Sequence, residues 1–401
     1  MKIPKYIIPV ISTLLIVNLS VSVAQSVYSG QGIGEIRPVP NARSLGMGGT
    51  GIAFRDSLEL LTMNPALPAA VTKTTISISG GYQWVLVEDN SASDPRDYAG
   101  FEGIAIAIPV YRTWTLSAGI DPFTIARTNW FWKRQFGSDT YEERYQVSGG
   151  ISRGLIGVAF SPRPNVLLGV GTRVLFGTID QTSTLNFVSS SYRDAQYTNQ
   201  LNSMSMGVTG GAVWEFYRHW SVGAFYWAKQ QGDGSVDFSY LDSDSIRSTE
   251  GTVDFPATLG VGLSGYLKPR IRVSGDLMWT NWEDSQVILG SQLPVTDTYR
   301  ISAGAEIQPL FSEMEAFYNR LYYRLGFSTE NNYIENPSGQ SPRTSLVTAG
   351  LGIPLKEPDR RLDVAFYWGI RGNVADFGVK ETLFGISLTL ETSEKWFVRR
   401  K

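Results

Sequence analysis

The sequence predicts an all-β fold, a transmembrane antiparallel β-barrel of about fourteen strands with an N-terminal plug, or hatch, segment in its lumen. Three observations lead there. Apolar residues alternate with small or polar ones in segment after segment from Thr74 onward. The connections between those segments alternate tight turns with longer polar loops. Beyond residue 24 no uninterrupted apolar run reaches the roughly 18 residues of a membrane helix, so a membrane role must be carried by strands.

Composition narrows the chemistry. The 401 residues include 41 Gly, 19 Phe, 19 Tyr and 11 Trp with only 18% charged residues, which suits short strands and tight turns. There is no Cys and one His, so disulfides, thiolate metal sites, Cys-ligated haem and thiol catalysis have no residue to use. No cofactor, no metal and no catalytic residue is expected. A net charge of −2 gives no electrostatic reason for a nucleic-acid partner. His219 falls in an Arg218-His219-Trp220 turn at the barrel rim, where an imidazole without a catalytic role is the simpler reading.

Taken in order, residues 1–24 read as a signal peptide. Lys2 and Lys5 precede an apolar run from Tyr6 to Val23, and Ser22-Val23-Ala24 ends in the small residues that a signal peptidase requires. The mature chain should begin at Gln25 and reach the outer membrane of a Gram-negative-type cell. Pro9 argues against an uncleaved membrane helix, and no Cys follows to carry a lipid anchor.

Residues 25–73 read as a compact plug, with an ordinary periplasmic tail as the plainer alternative. Gly46, Gly48, Gly49 and Gly51 let backbone approach backbone closely. Asp56 with Glu59 can cap a short helix through Leu60 and Leu61, which Asn64, Pro65 and Ala66 end. Gly46, Gly48 and Gly51 also spell G-x-G-x-x-G. Arg37-Pro38-Val39-Pro40 rather than a strand precedes them and no βαβ unit surrounds them, so dinucleotide binding is rejected.

Residues 74–391 read as the barrel, with strands near 74–88, 100–110, 113–122, 142–160, 165–186, 200–216, 219–237, 250–266, 270–286, 295–308, 320–330, 342–354, 361–371 and 381–391. In one of them Leu362, Val364, Phe366, Trp368 and Ile370 face one way, and Arg361, Asp363, Ala365, Tyr367, Gly369 and Arg371 the other. A soluble sandwich also alternates, but has no reason to enrich its polar face in Gly, Ala and Ser. Residues 111–112, 161–164, 217–218, 267–269 and 356–359 are tight turns, whereas 89–99, 123–141, 187–199, 238–249, 287–294, 331–341 and 372–380 are long loops. Residues 309–319, with Phe311, Met314 and Phe317, break the alternation. Residues 392–401 form a basic tail in place of the usual terminal aromatic.

Within the barrel three groups attract attention. Loop 123–141 carries Phe123, Ile125, Trp130, Phe131 and Trp132, either a capture patch for hydrophobic molecules or packing against neighbouring loops. Pro122 cannot donate to a ladder, so the third strand should bend or end there. Arg272, Asp276, Arg300, Glu306, Arg324 and Asp363 share the inner face. Paired charges holding a plug are the plainer reading of them; an acid and base pair, or an arginine meeting a substrate carboxylate, are the sharper ones.

The stretch Ala42 to Ala53, followed by Asn64-Pro65-Ala66, resembles the plug of FadL-type outer-membrane transporters, and Asp276-Leu277-Met278-Trp279-Thr280-Asn281-Trp282 is similar to a D-x-x-W-x-x-W segment of that family. The resemblance implies passive uptake of long-chain fatty acids, hydrocarbons or other small hydrophobic cargo, released sideways through a bend such as that at Pro122. Its implied partners are outer-membrane lipid, the cargo and the barrel-insertion machinery, with the protein a monomer. The same plug motif is similar to that of PorV-like barrels, which implies the alternative of docking secreted proteins or secretion-system partners.

Overall fold

In the computed structural model, which describes residues 26–37, 41–56, 63–111, 113–137, 139–187, 192–217, 219–240, 247–285, 294–310, 315–355 and 359–396, a closed antiparallel barrel of 14 strands surrounds the N-terminal segment. The expected signal peptide, Glu59 to Leu61 of the expected helix, Phe311, Met314, and residues 397–401 of the basic tail lie outside the described residues. The strands are β1 (Thr74–Glu88), β2 (Ser93–Tyr111), β3 (Trp114–Pro122, resuming as Thr128–Phe136), β4 (Asp139–Arg163), β5 (Val166–Phe187), β6 (Ala195–Tyr217) and β7 (Trp220–Trp227 and Gln230–Tyr240). Then follow β8 (Arg247–Phe255 and Thr258–Lys268), β9 (Ile271–Thr280), β10 (Thr298–Ile307), β11 (Tyr322–Asn331), β12 (Arg343–Pro354), β13 (Arg360–Asn373) and β14 (Val379–Glu394). The last strand closes on the first, from Glu394 opposite Thr74 to Lys380 opposite Glu88.

Period two produces this wall because alternate side chains meet different solvents. On β13, Asp363 and Ala365 are wholly buried in the lumen while Phe366 and Trp368 are 40% and 51% exposed on the outside. Ile156, Val170, Met206, Val208 and Leu325 extend that outer apolar band round the barrel, an exposure that only lipid makes favourable. Inside, the largest apolar cluster joins Ile33 of the N-terminal segment to Phe123, Leu175, Ile179, Leu201, Phe255, Trp282 and Tyr333 of the wall and loops.

Most of the expected long loops are strand. β4, β5 and β6 run for 25, 22 and 23 residues, against 10 each for β9, β10 and β11, so the wall stands taller on one side. β5 lies within a residue of the expected 165–186, while β4 and β6 run past the expected 142–160 and 200–216. In this taller part the outer face is polar: Thr178 donates to Asn202 at 2.8 Å and Gln200 to Asp180 at 2.6 Å, beside inward Ile179 and Leu201. The expected loop 123–141 is not one loop. Residues 123–127 turn inward, and Thr128–Phe136 pairs with β4 from Thr128 opposite Val147 to Phe136 opposite Asp139. In the irregular connection before β11, Phe317–Arg320 form a single 3₁₀ turn.

Arginine at position 364 would enter the lipid face, so Val364→Arg should cost roughly 2–4 kcal/mol of barrel stability. A spin label at 364 should be accessible to lipid-soluble oxygen, and one at 365 should not. Equal accessibility at the two positions would contradict the assigned faces.

Candidate functional site

The lumen site begins with a short helix, α1 (Ala42–Gly46). Asn41 starts it by accepting from the Ser44 amide at 2.8 Å, and Gly48 and Gly49 end it at φ +73° and +81°, where glycine alone is unstrained. Space makes the same demand. A Cβ on Gly48 would stand 2.4 Å from the Phe327 carbonyl oxygen, and one on Gly46 would stand 3.0 Å from Gly350.

α1 projects Arg43 into a buried chain of charges. Its guanidinium meets Glu306 at 3.0 and 3.1 Å and Asp56 at 2.7 Å. Glu306 also pairs with Arg324 at 2.7 Å, Arg324 with Asp363 at 2.6 Å, Asp363 with Arg361 at 2.7 Å, and Arg361 with Glu391 at 2.6 Å. Asp276 accepts from the amides of Gly51 and Ile52 at 2.6 and 3.0 Å. The Arg272 guanidinium lies 3.6 Å from the centre of the Phe54 ring and donates to the Arg55 carbonyl at 2.9 Å. Asn64 donates to the carbonyls of Ile52, Ala212 and Ala224, while Pro65 and Ala66 press so close to Gly169 that a Cβ there would meet the Pro65 oxygen at 2.0 Å. Of the six inner-face candidates, Arg272, Asp276 and Glu306 thus bond directly to the N-terminal segment, and Arg324 and Asp363 support Glu306 from the wall. Arg300, the sixth, donates to Gly48 at 3.3 Å and also faces open space.

That space comprises two adjoining cavities. The first lies among Phe123, Arg153, Arg173, Trp227, Phe255, Trp282 and Tyr333; the second, of similar volume, reaches Tyr98, Gly100, Phe101, Pro122 and Ile125. Glu35, Ile36, Arg37 and Arg300 border both. Burial opposes the ionised form of Glu35, but Arg371 and Arg37 more than offset it and hold the carboxyl down at about 2.

Pro122 is the last residue of the lower half of β3. Beyond it, the Phe123 amide donates to Ile151 and the Phe123 carbonyl accepts from Arg37, both at 2.8 Å, and Ile125 pairs with Glu35 in a two-residue strand. Phe123 and Ile125 are thus buried inside the barrel rather than displayed on a loop. Trp130, whose indole donates to Thr128 at 2.7 Å, is half-buried in the wall, and only Phe131 and Trp132 of the five are exposed.

The bend opens the wall on one side. Pairing of β2 with β3 stops at Ile104 opposite Ile120. Above it β2 pairs only with β1, and the upper half of β3 only with β4, among the described residues. Side chains alone span the seam: Arg96 donates to Thr128 at 3.3 Å, and the Arg127 guanidinium lies 5.4 Å from the Tyr98 ring.

Sequence reading missed most of the cavity lining, including Arg37, Trp227, Phe255 and Tyr333, which come from elements far apart in the chain. Arg153 and Arg173 carried a signal, since each interrupts an otherwise uncharged stretch of strand. His219 lies on the rim at φ +68° with Nδ1 3.2 Å from Glu215, and the described residues hold no group of three or more acids or imidazoles placed to bind a metal.

The Glu35 pairing sets a pH dependence. A carboxyl whose folded value lies below its unfolded 4.5 stabilises fully above about pH 4.5 and loses that contribution as pH falls through about 2. The stability difference between the parent and Glu35→Gln, followed by denaturant titration, should therefore be flat from pH 7 to 4.5 and shrink below it. A difference that vanishes near neutral pH would contradict the pairing.

The fold matches a Pseudomonas aeruginosa FadL homologue at 12% identity, covering 90% of this chain and 99% of that one with a TM-score of 0.62. It matches the Ralstonia pickettii toluene transporter TbuX at 16% identity, covering 88% and 98%, with a TM-score of 0.60. For the Pseudomonas putida toluene transporter TodX the values are 15%, 91%, 100% and 0.58. No curated protein matches the sequence. The barrel therefore has the FadL-type fold, and a sequence model of the BamG family covers residues 2–222 and 221–401, so the chain belongs to the BamG family.

Proposed function

We propose that this protein is an outer-membrane channel for passive uptake of small hydrophobic molecules, with residues 25–73 as its plug and the seam at Pro122 as its lateral exit. One observation carries the reading: the second cavity runs from the lumen beside the plug to the stretch of wall where β2 and β3 are unpaired. Unpaired backbone in a bilayer is tolerable only where it is covered or lines a path. Hydrophobic compounds are the cargo named for TbuX and TodX, and Phe101 and Ile104 give this seam an apolar outer lip. A barrel serving only to dock secreted proteins has no need of lumen space reaching its wall. The cargo needs no chemical step, and insertion by the barrel-assembly route into lipid as a monomer completes the reading.

Deleting residues 25–66 should leave a barrel that inserts but conducts ions in a planar bilayer, because the charged lumen then fills with water. Conductance no greater than the parent's would show that something else closes the lumen. Pro122→Val restores an amide at the seam and suits a strand. It should slow uptake of labelled decane or oleate severalfold without altering heat-modifiable mobility. Unchanged uptake would discard the lateral route, and no uptake of any hydrophobic compound by the parent would favour docking.

A further inference from the structure

The first cavity is lined by hydrogen-bond donors that have no acceptor among the described residues. These are the indole nitrogens of Trp227 and Trp282, Arg300 Nη1 and Arg37 Nε, all buried; Glu35, in the same lining, has one carboxylate oxygen, Oε2, without a donor. Such groups are costly to bury unless something accepts from them. The surrounding charge is also unbalanced. Arg153 is answered by Asp121 at 2.6 Å and Arg371 by Glu35 at 2.7 Å, but Arg173 has only the neutral oxygens of Gln230 at 2.7 Å and Ala228 at 3.3 Å. Among the described residues no carboxylate pairs with it. Instead it lies beside a second cation, since the Arg153 and Arg173 guanidinia are 4.9 and 5.0 Å from the centre of the same Trp227 ring.

A buried guanidinium without an anion is unfavourable, and a ligand carboxylate is its natural complement. The rest of the lining argues for a ring on that ligand. Phe123 and Phe255, edge to face at 6.1 Å, Trp227, and the stacked Trp282 and Tyr333, 4.4 Å apart, line it together, presenting flat faces and edges rather than an aliphatic slot. We propose that this cavity is a binding site for an aromatic carboxylate, its acid group held by Arg173 and its ring by Trp227 and Phe255. The inference rests on the transport reading above, and it narrows the cargo to a class that carries both a charge and a ring.

The test is calorimetric titration of the purified full-length protein in detergent with 2-naphthoate, its neutral methyl ester and decanoate. The parent should bind 2-naphthoate at least tenfold more tightly than either of the others. Arg173→Gln should abolish the preference over the ester while leaving ester affinity and heat-modifiable mobility unchanged, and Arg173→Lys should restore part of it. Equal or tighter binding of the ester or decanoate by the parent overturns the proposal, as does a preference that survives Arg173→Gln. Should Arg173→Gln fail to insert, the comparison of the three ligands on the parent decides alone. A parent that takes naphthalene into cells but shows no preference for naphthoate loses the acid site and keeps the channel. One that binds naphthoate selectively yet takes up no hydrophobic compound keeps the site and loses the channel.

Discussion

The lumen depends on the chain of charges running from Asp56 through Arg43, Glu306, Arg324, Asp363 and Arg361 to Glu391. Ionised groups removed from water are expensive, and removing one partner from such a set typically costs about 3–5 kcal/mol because the other is left bare. α1 joins this network through Arg43, whose pair with Glu306 ties it to β10, while the remaining pairs link β10, β11, β13 and β14 to one another. A purely apolar interface could be equally stable and would let the N-terminal segment slide; the Arg43–Glu306 pair sets the depth of α1 against β10.

Close packing holds the segment on both sides of the lumen. Gly46 against Gly350, Gly48 against Phe327 and Pro65 against Gly169 bring main chain onto main chain, and the Asn64 side chain fills the space left at Gly211. The segment fits tightly at α1 and at Asn64 to Ala66, and the two cavities lie between its residues 35–37 and the opposite wall. There the chain is joined to the bend: Glu35 and Ile36 pair with Ile125 and Thr124, and Arg37 donates to Phe123. The N-terminal segment and the inward turn after Pro122 are thus one hydrogen-bonded unit.

How far the sequence disclosed this follows from where each constraint is local. Alternation at Arg361 to Arg371 or Ile271 to Thr280 is written in neighbouring residues, so strand number and facing were legible. The full reach of β4 and β6 was not, because the added Asp139 to Tyr141 and Ala195 to Asn199 carry little apolar signal and a polar strand reads like a loop. Phe123 to Trp132 misled for a related reason: five apolar residues near a proline looked like one exposed patch, whereas the turn sends Phe123 and Ile125 inward and Trp130 into the wall. The paired roles of Glu306, Arg324 and Asp363 were foreseeable in kind, since lumen charges of both signs must meet. Their partner Arg43 was not, lying more than two hundred residues away.

The solved barrels of the same shape share only 12–16% of residues with this chain, so the fold does not depend on most side-chain identities. In this chain it rests on period two, on glycine where main chains touch and on a break in the third strand. Side chains lining the cavities are under none of those demands and can vary without disturbing the wall. Selectivity must therefore be read from the cavity itself, and here that cavity sets unspent donors and an unanswered guanidinium among aromatic rings. A neutral hydrocarbon would leave each of those groups unsatisfied and gain only the contact with the rings, so what this cavity would hold follows from the chemistry of its lining more than from the likeness of the barrel.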